Sequence, residues 1–219
     1  RLILGLGTSS VPIVENFHGN SFDTPVQRMK EYVDIIRLAL QGEKINYSGK
    51  IFTLKDFSLL TKPIRKEIPI YLAAINQKMV EMTWNIADGV IFYLRPKNEM
   101  KETISRMQKK KKIDTTLQII TCIHEDEEKA RNRAKKTLSF YIAVGKIYRE
   151  FLQSTGYSNE VKIINESRQK YRLNEPVENA NLNRIILSGP TFQRLSLAIC
   201  NSRTNRAGGC GPVRAGSKG

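Results

Sequence analysis

Short apolar runs alternating with longer segments of helical period constrain this chain more than any other feature. The runs lie at 2–7, 68–74, 88–94 and 117–123. A continuous apolar run closed by turn residues is the pattern of a strand buried on both faces. Strands alternating with helices at this spacing argue for a parallel sheet with helices outside it. The expectation is an α/β fold in which these four segments lie adjacent and parallel in one sheet, joined by crossovers of the usual hand.

The helical segments are marked as clearly. Thr24 is the predicted N-cap of the first helix, with Pro25 at its first position and Gln27 completing a capping box. Val26, Met29, Val33, Ile36 and Leu40 recur at helical spacing, and Gly42 ends the helix. Between Asn46 and Leu54 the sequence Tyr-Ser-Gly-Lys separates two β-prone runs, which predicts an inserted hairpin. A second helix is expected over Gln77 to Ile86, a third carries Met100, Ile104 and Met107, and a fourth starts at Asp126 and is carried onward by Ala130, Ala134, Leu138, Ile142 and Ile147. The acids Asp126, Glu127 and Glu128 suit the positive end of that last helix.

Two places offer a ligand something to bind. The run Leu2 to Ser10 breaks at Gly5 and Gly7 and ends in Thr8, Ser9 and Ser10, so backbone can approach closely beside short donors at a strand's C-terminal end. Barrels of alternating strands and helices do their chemistry at that end. A tight turn explains such glycines equally well. The second place is Ala73-Ala-Ile-Asn-Gln-Lys-Met79, where a strand turns into a helix. Its free N–H groups can meet a phosphate at the positive helix terminus, with Lys78 adding charge. An ordinary turn with an exposed lysine reads the same way.

The remaining polar candidates say less. His18 suits a structural donor, Glu15 and Arg28 an ion pair holding a loop, and His124 an exposed position. No Ser/His/Asp set or paired carboxylates stand at a convincing spacing.

The residues Leu4-Gly-Leu-Gly-Thr-Ser9, Val14-Glu15, His18-Gly19 and Pro25-x-x-Arg28-Met29-x-Glu31-Tyr32-Val33 resemble the luciferase-like monooxygenase family. Within it, the branch of deazaflavin-dependent methylenetetrahydromethanopterin reductases is the most similar. The resemblance implies a TIM-type barrel with an inserted segment, of which this chain would supply a part, roughly strands four to seven. It implies an oxidoreductase transferring a hydride with the deazaflavin coenzyme F420, or with FMN, to or from a small organic substrate. A flavin-dependent monooxygenase is the variant of that reading. The family's coenzyme loop resembles Ala-Ala-x-Gly-Pro-Lys-Met, and here Asn76 and Gln77 replace its Gly and Pro. Carried over by position, the coenzyme cradle would be Gly7, Thr8, Ser9, Ala73, Ala74, Asn76, Lys78 and Met79. No catalytic residue is assigned, since relatives draw acid/base groups partly from their first strands.

Composition bears on the alternatives. The formal charge of +15 suggests an anionic partner, yet the segment 192–219 supplies five of those charges and holds no acid. The run Lys109 to Lys112 fits a solvated helix end opposing the negative pole of the dipole, and no aromatics interleave to stack bases. Nucleic-acid binding is therefore the least favoured reading. No apolar run approaches the roughly 18 residues of a membrane span. Cys122, Cys200 and Cys210 show no disulfide or zinc spacing, which suggests the reducing cytoplasm.

With 219 residues, the chain is shorter than the roughly 250 typical of a complete barrel. Residues 1–191 read as the barrel portion and 192–219 as a basic Gly/Arg/Ser-rich tail, disordered by composition. A non-catalytic remnant of such an enzyme is the alternative to an active one, and no turnover is expected of residues 1–219 alone. A homo-oligomer is a further expectation for the full-length protein.

Overall fold

The computed structural model describes residues 2–170. They belong to the first of two units into which the chain divides, 1–185 and 186–219. The expected boundary at 191/192, the basic tail, Cys200 and Cys210 lie outside the described residues.

Four strands form one parallel sheet: β1 (Leu4–Leu6), β4 (Ile70–Ala73), β5 (Gly89–Tyr93) and β6 (Asp114–Gln118), in the spatial order β1-β4-β5-β6. Helix α1 (Pro25–Leu40) and an antiparallel hairpin of β2 (Ile45–Ser48) and β3 (Thr53–Phe57) connect the first two. Helices α2 (Gln77–Ile86) and α3 (Lys97–Gln108) connect the others. Three further helices follow β6: α4 (Glu127–Val144), α5 (Lys146–Ser154) and α6 (Ser158–Lys170). This is an α/β partial TIM barrel, an arc of four parallel strands with α1, α2 and α3 packed on one side.

The register explains which side is packed. Leu4 and Leu6 pair with Ile70 and Leu72, and these with Val90 beyond them. Ile70, Leu72, Val90 and Phe92 join Met29, Val33, Val80, Trp84 and Met107 in one core between sheet and helices. Each such side chain, fully buried, contributes about 2 kcal/mol. The alternate positions, Gly5, Tyr71, Ala73, Gly89, Ile91, Tyr93, Asp114 and Thr116, occupy the other face of the sheet. There the Tyr71 hydroxyl donates to Asp114 across β5, and Thr116 donates to the Val90 carbonyl at 2.8 Å.

Several expectations change. The first strand is shorter than 2–7, because Leu2 and Ile3 are half exposed and unpaired among the described residues. The last strand is Asp114–Gln118, not 117–123. Its start is fixed by the loop before it: Trp84 Nε1 donates to the Lys111 carbonyl at 3.1 Å, and the Gln108 amide both donates to and accepts from the Ile113 backbone. That register leaves Ile123 94 % exposed.

The helix from Asp126 does not continue unbroken to Ile147, since Gly145 takes φ −98° and ψ 100°, ends α4 and starts α5. Arg149 then donates to the Ile142 and Ala143 carbonyls at 3.0 and 2.8 Å, satisfying the end of α4.

The capping box at Thr24 is absent. Thr24 is left-handed at φ 47°, whereas a side-chain cap needs extended backbone. Gln27 instead donates to Glu31 Oε1 at 2.8 Å. Residues Pro12–Phe17, between β1 and α1, wind into a short π-helical turn. The lysines at 109–112 are exposed past the end of α3, as a solvated helix end should be.

Candidate functional site

The C-terminal ends of β1 and β4 meet at two small residues. A Cβ placed on Gly7 would lie 3.3 Å from the Ala73 Cβ, so a side chain there would need the neighbouring strand to give by a few tenths of an ångström. Ser9 follows with φ 59°, a left-handed position uncommon outside Gly and Asn. Gly7 and Thr8 also line a cavity of about 430 Å³ that extends under α1 to Arg28, Met29 and Tyr32. No residue of the turn at 74–79 lines that cavity. The structure thus joins Gly7 to Ala73 and places Thr8 in a cavity that Lys78 does not line.

The turn itself is built by Asn76. Its φ of −77° and ψ of 161° are ordinary extended backbone, so the Gly of the family pattern is not needed for a left-handed residue. The Asn76 side chain accepts the Met79 N–H at 2.9 Å and caps α2. Ala74 and Met79 are buried in the core, and the Ala74 N–H is held by the Ile91 carbonyl at 3.2 Å. Those two therefore offer the outside neither side chain nor N–H. The N–H groups of Gln77 and Lys78 have no partner among the described residues, and the Lys78 side chain is exposed beside them. Arg106 of α3 adds a second cation, donating to Gln77 Oε1 at 2.8 Å.

Beneath this turn lies Arg95, a residue not among those singled out in the sequence. It is 5 % exposed. One guanidinium nitrogen donates to the Ile75 carbonyl. The other lies 2.5 and 2.6 Å from the two Glu99 oxygens. The rings of Phe92 and Phe151 lie 4.6 and 4.5 Å from the guanidinium carbon. Burial lowers its pKa and Glu99 opposes that shift. The signal available in sequence was Arg followed at i+4 by Glu, directly after an aromatic strand.

The other strand end carries an aromatic group. Tyr93, at the end of β5, packs edge-on against Tyr141 and Tyr148 with ring centroids 5.2 and 6.0 Å apart. Burial raises the Tyr93 hydroxyl pKa, and a hydrogen bond with Tyr141 adds to it. Burial also raises that of Tyr148.

The expected Glu15–Arg28 pair does not form. Glu15 accepts the Phe22 N–H at 3.3 Å, and Arg28 stands 5.5 Å over the Phe52 ring. His18 is exposed, and His124 Nδ1 accepts the Asp126 N–H at 2.9 Å. Among the described residues no His/Cys/Asp/Glu group has a metal-binding arrangement. Nor is any helix among them long and apolar enough to cross a membrane.

Comparison with known proteins agrees with this architecture. A family model described as luciferase-like monooxygenase matches residues 1–194. The 5,10-methylenetetrahydromethanopterin reductase of Archaeoglobus fulgidus is 31 % identical over 151 residues, covering 65 % of this chain and 45 % of that protein. A putative coenzyme F420-dependent oxidoreductase of Mycobacterium tuberculosis is 36 % identical over 107 residues, covering 42 % of this chain and 31 % of that protein. The solved structure of the coenzyme F420-dependent tetrahydromethanopterin reductase of Methanopyrus kandleri superposes with a TM-score of 0.68 at 19 % identity, covering 84 % of this chain and 59 % of that one. The chain spans less than half the length of these two curated relatives.

Proposed function

Because the chain belongs to the luciferase-like monooxygenase family, we propose that it forms the coenzyme-phosphate side of an F420-dependent oxidoreductase. Its substrate class would be a small organic molecule that gives or takes a hydride. The Mycobacterium tuberculosis relative, named for F420, supports the choice of coenzyme over FMN. The observation that carries the reading is the β4–α2 turn. Two unpartnered N–H groups at a helix N-terminus, with Lys78 beside them and Arg106 behind, match the needs of a phosphate.

The residues fit the coenzyme in a defined way. Asn76, Gln77 and Lys78 would hold its phosphate, and Gly7, Thr8, Ser9 and Ala73 would border its path at the strand ends. Ala74 and Met79 would support the turn from the core. Bound F420 supplies the hydride chemistry itself, while the protein contributes position and electrostatics.

The test is a titration of the purified chain with F420, followed by fluorescence, beside a parallel titration with FMN. Lys78→Glu is expected to weaken F420 binding by at least about tenfold, since a charge-assisted contact contributes roughly 1.5–3 kcal/mol. Unchanged affinity overturns the phosphate assignment. Binding of FMN in preference to F420 overturns the coenzyme.

A further inference from the structure

We propose that Arg95 is a positioning residue that sets the β4–α2 turn in its anion-accepting form. The inference rests on the reading of that turn as the coenzyme's phosphate site.

The argument begins with the peptide between Ile75 and Asn76. Its carbonyl accepts from the buried Arg95 guanidinium. The chain has no cis peptide bond among its described residues. In a trans peptide the N–H points opposite to the carbonyl. Pinning the Ile75 oxygen inward therefore turns the Asn76 N–H outward, away from the guanidinium. Like those of Gln77 and Lys78, that N–H has no partner among the described residues. Together with the Gln77 and Lys78 N–H groups at the start of α2, it leaves three consecutive donors without a partner at the positive end of a helix, where an anion is favoured.

Arg95 suits this task and no other visible one. Its charge is matched by Glu99, and it is too deeply buried to meet a ligand. Phe92 and Phe151 hold the guanidinium plane, Glu99 takes one nitrogen, and the fixed fork then delivers the other to Ile75. Thr103, itself buried, donates to Glu99 Oε1 at 2.7 Å and steadies the carboxylate. The backbone also bends to bring Arg95 there. Leu94 has φ 50°, a left-handed conformation that costs a non-glycine residue of order 1 kcal/mol and persists where the surroundings require it. Phe151 lies in α5, so the turn is held from the helical segment that follows the sheet as well as from α3.

Lysine is not a substitute. Its single ammonium cannot stack between two rings and serve Glu99 and Ile75 in one plane.

The experiment compares two ligands on the full 219-residue chain: F420, and its deazaflavin chromophore lacking the phosphate and everything beyond it. Binding is measured for the wild-type chain, Arg95→Lys and Arg95→Met, with near-UV circular dichroism as the check on folding. The wild-type chain is expected to prefer F420. Both variants should lose about tenfold in F420 affinity and keep the affinity for the chromophore. If Arg95→Met fails to fold, Arg95→Lys decides. Full F420 preference in a folded variant overturns the role of Arg95 and leaves the phosphate reading standing. An equal loss for both ligands also overturns it, because the effect is then general. If the wild-type chain binds the two ligands equally, the phosphate reading itself fails, and this inference with it.

Discussion

Glu31 and Arg95 are both buried charged residues that hold a loop against the sheet's helices, and they do it by opposite chemistry. Glu31, 1 % exposed on α1, faces the hairpin tip. Its two oxygens accept the Lys50, Ile51 and Phe52 N–H groups at 2.8 to 3.3 Å and the Gln27 amide at 2.8 Å. No cation joins this group among the described residues. Arg95 works through a carbonyl, a carboxylate and two rings. The comparison teaches that a buried charge can be compensated by neutral hydrogen-bond donors alone or by a full counter-charge. The two solutions differ in what disturbs them: the anionic anchor is sensitive to protons and to space, and the cationic one to geometry.

The largest expected effect is steric and strikes only the Glu31 anchor. A Cβ on Gly49 would sit 2.5 Å from Glu31 Cδ and 2.7 Å from Tyr47 Cε1. Neither the bonded carboxylate nor the packed ring can withdraw without giving up its contacts. Gly49→Ala should lower stability by about 3 kcal/mol, at the upper end for overpacking. The urea midpoint of the chain measures this. A midpoint within error of wild type would mean that the hairpin tip shifts freely and that Glu31 does not anchor it.

Acid separates the two anchors next. Burial alone would raise the Glu31 pKa, but the bonds from Gln27, Phe52, Ile51 and Lys50 outweigh it and bring it from 4.5 to about 2. The folded state then binds fewer protons than the unfolded one near that carboxyl. Its contribution is complete above about pH 4.5 and is lost as pH falls toward 2. The protection of the Lys50, Ile51 and Phe52 amides, taken relative to their intrinsic exchange rates, should fall across that window more than that of the Met79 amide, which Asn76 holds in the turn above the permanently charged Arg95. Equal loss of protection at both places would remove the distinction.

The two anchors also show what a sequence can carry. The strands β4 and β5 were legible because their packed face is apolar at Ile70, Leu72, Val90 and Phe92. β6 was not. Its free face holds Asp114, Thr116 and Gln118, while a more apolar run, ending in the exposed Ile123, follows it. The turn at Asn76 to Lys78 was legible as a motif because its residues are contiguous. Arg95 and Glu31 were not, since their partners are backbone groups 20 and 19 to 21 residues away. Side-chain-to-backbone contacts leave no trace in the identity of the partner residue. The break of the helix at Gly145 was marked by glycine but was overridden by the apolar period that continues to Ile147.

The smallest expected effect tests whether the Arg95 clamp is supported from within α3. Thr103 Oγ1 donates to Glu99 Oε1 at 2.7 Å and lies 3.5 Å from Arg95 Nη1. Thr103→Val keeps the shape and removes the hydroxyl, so the hydrogen bond to the half-buried Glu99 carboxylate and the long one from Arg95 disappear. Glu99 keeps both contacts with Arg95, and no charge is left alone. The expected loss is therefore about 1 kcal/mol rather than the 3–5 kcal/mol typical of breaking a buried pair. Urea denaturation of the variant beside wild type gives the number. A cost near 3 kcal/mol would show that Thr103 holds the Glu99 carboxylate in place for Arg95 and that the clamp fails as a unit. No cost at all would show that the stacked, paired guanidinium is self-sufficient, and the comparison with the backbone-caged Glu31 would become sharper still.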